Sequence, residues 1–161
     1  MKKIIIIVTL TASCLAYTIL PKQPVNEVPY PEGYRKWTHI KTSIVGPQHP
    51  TFKVNGGFHH IYANEKAMQG YLTGHFPEGA VIVADALEAH IQQNSNMEEG
   101  KRRHIDVMIK DSIKYAATGG WGYEEFNGDS KTERNANSTV QRQCFNCHSA
   151  RKNYVFSNYR N

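Results

Sequence analysis

The chain has 161 residues, with 19 Lys and Arg against 14 Asp and Glu and a net charge of +5. The excess is one-sided: residues 1–100 carry eight basic and eight acidic side chains, residues 101–161 eleven and six. No recognised nucleic-acid motif, internal repeat or low-complexity tract accompanies it, so no nucleic-acid partner is expected. The surplus reads as a solvated surface, as compensation for an anionic ligand, or as a steering field for an acidic redox partner.

In chain order, Met1-Lys2-Lys3 is a basic start, and the 17 residues from Ile4 to Leu20 carry no charge. That is the pattern of an export signal. Three fates are open to it. Cleavage after Ala16 is one, and lipidation of Cys14 in the box Thr11-Ala-Ser-Cys14 is another, although Thr11 stands where Leu is commoner. The third is retention as an anchor, because the segment is just long enough to cross a hydrocarbon core of ~30 Å. Residues 1–20 are therefore read as a signal peptide or anchor, 21–31 as a Pro-rich linker, and 32–161 as one domain of about 130 residues. The domain is expected in the periplasm or otherwise outside the cytoplasm.

Within that domain the β-branched and aromatic runs Trp37 to Val45, Lys53 to Ala63, Ala80 to His90, His104 to Lys110 and Trp121 to Phe126 predict five strands, bounded by Gly, Pro and Asn clusters. Helices are short: Asn64 to Leu72 with Asn64 as N-cap, Asp111 to Ala117 stopped by Gly119-Gly120, and a segment around Val140 to Ser149. Without a long helix between each pair of strands the sheet should be antiparallel, giving an α+β fold.

The last helix carries the most specific motif, Cys144-Phe-Asn-Cys147-His148. Residues i and i+3 share a helix face, so two cysteines at this spacing can both reach one edge of a porphyrin, and the histidine that follows can ligate its iron. A zinc site would need a second ligand pair, and no other cysteine follows. A thioredoxin-like dithiol would need a βαβ unit, and a plain disulfide leaves His148 unexplained. The motif is therefore read as the attachment site of one covalent haem c, with Cys144 and Cys147 as the bonded residues and His148 as the axial iron ligand. Such attachment outside the cytoplasm agrees with the export signal.

Tyr30-Pro-Glu-Gly-Tyr-Arg-Lys-Trp37, Phe76-Pro-Glu-Gly-Ala80, the block from Met108 to Tyr123 and the haem motif followed by Tyr154-Val-Phe156 together resemble the cytochrome P-460 family, including its cytochrome c′-beta relatives. The resemblance spans about Tyr30 to Arg160. It implies a largely antiparallel β domain, often a homodimer, with one haem whose proximal ligand is the motif histidine. In the cross-linked members, which oxidise hydroxylamine, a lysine stands just before a T-G-x-F-x-x-G turn. Here that turn is Thr73 to Gly79, preceded by Tyr71 and Leu72, and the nearest lysine is Lys66. The chain is thus more similar to the branch without the cross-link, whose members bind nitric oxide and related diatomics or carry electrons.

The iron's sixth position separates those roles, because an open face admits a gas and a second strong ligand favours electron transfer. By the resemblance, His59 matches a polar distal position and could donate a hydrogen bond to a bound ligand; Leu72 and Phe76 are the other candidates for the distal pocket. Met68 and Met108 could ligate iron, although such methionines are usually core filling. Gly119, Gly120 and Gly122 are read as making room for haem packing near Trp121. Glu124 and Glu125, sent to opposite sides of a strand, could handle protons if one faced the pocket; His75, His90 and His104 carry no motif. The expected function is binding of nitric oxide or a related small nitrogen ligand at a five-coordinate haem. The alternatives are an electron-transfer cytochrome and a hydroxylamine-oxidising enzyme.

Overall fold

A computed structural model describes residues 27–160; the expected signal or anchor lies outside the described residues. Five strands form one antiparallel sheet in chain order: β1 Thr38–Val45, β2 Gly57–Ala63, β3 Val81–Ile91, β4 Met97–Lys110 and β5 Trp121–Asn127. Three helices join or flank them: α1 Phe52–Asn55, α2 Glu65–Thr73 and α3 Ser138–His148. This is the α+β architecture that the strand runs predict. Helix α2 starts at the expected cap, where the Asn64 side chain accepts from the Ala67 amide at 2.8 Å and from the Val81 amide at 3.0 Å.

Three elements differ from expectation by more than two residues. The run from Lys53 is helical before it is a strand, because β2 can begin only at Gly57, whose φ of 114° and close approach to the Leu87 carbonyl exclude a side chain. Strand β4 begins at Met97, not at His104, and pairs with the end of β3 through two register shifts. The expected helix from Asp111 is a turn followed by a single 3₁₀ turn at Ala116–Thr118. There the Asp111 carboxylate accepts from the amides of Ile113 at 3.1 Å and Lys114 at 2.8 Å, a local alternative to helical bonding.

Alternation along the strands gives the sheet two different faces. One packs Val83, Ile105, Val107 and Phe126 against Val28, Tyr34 and Tyr115. The other packs Ile82, Met108 and Tyr123 against α2, Phe76 and Trp121, with Cys144 and Phe145 of α3 closing over it. The cross-strand partners Ile61, Ala84, Asp106 and Glu125 lie along this second face.

Candidate functional site

Helix α3 starts on Asn137, whose side chain accepts from the amides of Thr139 at 3.0 Å and Val140 at 3.1 Å. Its last turn carries Cys144, Cys147 and His148. The two thiols are not joined to each other; Cys144 is half-buried, and burial pushes its thiol up to about 11.

The His148 ring lies between Tyr123, with ring centres 5.1 Å apart, and Phe156 at 4.8 Å. Its Nδ1 is 2.6 Å from the Tyr154 carbonyl oxygen. A carbonyl only accepts, so Nδ1 carries the hydrogen and Nε2 keeps its lone pair. Burial lowers the imidazole pKa below its ordinary value, although the Tyr154 carbonyl opposes this, and the neutral ring is favoured. A neutral imidazole oriented through its other nitrogen is the form that ligates metals.

The Tyr154 carbonyl reaches His148 because the chain reverses through two successive left-handed residues, Asn153 at φ 54° and Tyr154 at φ 64°. Such backbone costs of order 1–3 kcal/mol per residue and persists where surrounding contacts enforce it. Here Asn153 Nδ2 donates to the Gly74 carbonyl at 2.6 Å, the Tyr154 ring stacks on Phe145 at 5.9 Å, and the Tyr71 and Ser157 hydroxyls are 2.6 Å apart. The tail thereby ties the end of α3 to α2.

Between this helix, the tail and the sheet lies a cavity of about 380 Å³. Ile61, Ile82, Ala84 and Met108 supply its apolar sheet side, while Cys144, Cys147, His148 and Phe156 face it from the helix and tail. Lys41, Asp106 and Glu125 add charge to the wall. The Tyr123 hydroxyl is buried without a hydrogen-bond partner, and burial raises its pKa above the ordinary tyrosine range. An apolar sheet wall, two unpaired thiols, a neutral imidazole with a free lone pair and an orphaned hydroxyl are together a donor set that fits a haem.

A model of the cytochrome P460 family matches residues 31–157. The chain belongs to the cytochrome P460 family. The family implies a haem cofactor and a cytochrome function, and the cavity beside His148 is where this chain can accommodate one. No curated protein matches the chain.

Against that assignment, the residues singled out by sequence fall into three groups. Cys144, Cys147 and His148 are brought together on the cavity wall. His59 lies on the cavity face of β2, but its Nε2 is 2.6 Å from the Asn55 carbonyl and its ring packs beside His104 at 6.4 Å; it is next to the lined space and outside it. Leu72 and Phe76 do not line it. Leu72 is 65 % exposed, and Phe76 is buried against Tyr71 and Trp121 in the space that Gly70 leaves by lacking a side chain.

Lys66 donates to the Glu78 carbonyl at 3.0 Å and is absent from the wall; the lysine that stands there is Lys41. Met68 packs against the core. The room beside Gly119 is taken by the Tyr154 ring, and Trp121 is buried against Phe76. The buried Glu124 accepts from Arg134 at 3.0 Å and the Ala136 amide at 3.1 Å. Asp106 and the Tyr154 carbonyl were not singled out by sequence. Asp106 could have been found by its alternation with Met108, whereas the Tyr154 carbonyl depends on a backbone reversal that no local pattern announces.

Proposed function

We propose that this chain is an exported monohaem cytochrome whose haem is bonded through Cys144 and Cys147, ligated by His148, and open on its other axial side to nitric oxide or a related small nitrogen ligand. The observation that carries the reading is the hydrogen bond from His148 Nδ1 to the Tyr154 carbonyl, which commits one nitrogen to the protein and leaves Nε2 for iron. Among the described residues, His148 is also the one imidazole that lines the cavity. When bound, the haem supplies an iron that takes up small ligands and exchanges single electrons. Export rests on the uncharged stretch Ile4 to Leu20.

A specific observation favours each alternative. Met108 lies in the cavity wall, and its thioether as a sixth ligand would make an electron carrier. Lys41 in the same wall would be the side chain to join to the ring in a hydroxylamine-oxidising enzyme.

Absorption spectra of the purified protein as ferric, ferrous and ferrous with nitric oxide separate the three. The proposal expects a high-spin ferrous spectrum that changes on adding nitric oxide. A sharp low-spin ferrous spectrum indifferent to nitric oxide would make the protein an electron carrier. A strongly red-shifted ferrous band, with a peptide containing Lys41 held on the haem, would restore the enzyme.

A further inference from the structure

We propose that His104, Asp106 and Glu125 form a second, non-haem metal site at the edge of the cavity, one that takes a divalent transition-metal cation of the zinc, manganese or ferrous type. His104 and Asp106 are two apart on β4 and share a face, and Glu125 of β5 is the cross-strand partner of Asp106. One potential ligand atom from each of the three lies within 4.8 Å of the other two.

Two features of this cluster call for a cation. Carboxylates directly opposite each other on neighbouring strands repel, and the fold keeps them there. His104, 5 % exposed, buries Nε2 with no hydrogen bond; Asp106 Oδ2, at 3.4 Å, is in ion-pair range only when the ring is protonated. A buried nitrogen left without a hydrogen bond is costly, and a metal bond would satisfy it. Asn135 Nδ2 donates to Glu125 Oε1 at 2.7 Å, orienting that carboxylate and leaving Oε2 free.

The donor set narrows the ion. One imidazole with two carboxylates suits zinc, manganese or ferrous iron, whereas calcium and magnesium prefer oxygen alone. Zinc ligands at about 2.0–2.2 Å from the metal lie ~3–4 Å from one another, so the cluster must close by roughly 1 Å. Asp106, whose side chain is 47 % exposed, can supply that movement by rotation. Three protein ligands would leave positions for water facing the cavity, as in open catalytic metal sites.

The experiment uses haem-loaded protein stripped of loose metal with a chelator and titrated calorimetrically with Zn²⁺. One equivalent should bind, and the near-isosteric double variant Asp106→Asn/Glu125→Gln should weaken it by more than about 10-fold. Zinc that does not bind, or that binds the variant equally well, overturns the proposal and leaves the carboxylates balanced by a proton on His104. If the variant does not fold, diffraction at the zinc absorption edge on zinc-soaked wild-type crystals decides. A peak among the three side chains supports the site, and no peak there overturns it. A peak between Cys144, Cys147 and His148 instead would overturn the haem assignment separately.

Discussion

Asp85 on β3 and Asp106 on β4 project from the middle of one sheet to opposite faces, and their surroundings could hardly differ more. Asp85 is fully buried and accepts from Tyr34 Oη at 2.8 Å, Arg35 Nε at 2.9 Å and Arg102 Nε at 2.6 Å. Burial alone would raise its pKa, but the bonds from Arg102, Tyr34 and Arg35 outweigh this and hold the carboxyl below its ordinary value. Asp106 is half-exposed, stands opposite another carboxylate and faces a cavity. On the first face every buried polar group of that network is answered by the chain itself. On the second, the Tyr123 hydroxyl and His104 Nε2 are buried without a hydrogen bond, and only the Asp106 carboxylate, at 3.4 Å, stands near the imidazole. A face that leaves donors and acceptors uncommitted is built to receive something that the polypeptide does not contain.

That contrast can be broken from either side. The largest effect should come from the cavity face: Cys144→Ser with Cys147→Ser should abolish covalent haem entirely, read by mass, while urea unfolding still reports a cooperative domain. Next is the opposite face. Asp85→Asn removes the charge that pairs with Arg35 and Arg102 and should cost about 3 kcal/mol by urea unfolding, the low end for a broken buried pair because Arg35 is half-exposed. The sign of its pH dependence follows from the lowered pKa. The contribution is fully present above the unfolded value of about 3.9 and is lost as pH falls through the folded value. Wild-type protein should therefore lose stability below about pH 4, and Asp85→Asn should lose less of it over the same range.

Asn137→Ala, which removes the cap of the haem-motif helix, should cost about 1 kcal/mol in the same assay. The smallest effect belongs to Leu72→Ala, which should stay within about 0.5 kcal/mol and leave the response to nitric oxide unchanged, as an exposed residue outside the cavity should.

The strands were legible where one face of each is apolar, as from Val81 to Leu87 or Trp121 to Phe126. They were not legible from Met97 to Arg103, a charged and mostly exposed run whose strand character comes from pairing with β3 and not from its own pattern. The attachment motif was legible because its spacing is local. Phe76 was expected in the distal pocket, whereas the absence of a side chain at Gly70 lets it fill the core beneath α2. Lys41, Asp106 and Glu125 reach one wall only through the register of all five strands, which no single segment encodes.

The claim that the open face of the sheet is a haem site is tested most directly by mass spectrometry of the protein purified from a host that exports and haem-loads it. The account predicts an intact mass raised by one haem, all of it on the peptide containing Cys144 and Cys147. A chain at its bare mass with both thiols free to alkylate would contradict it.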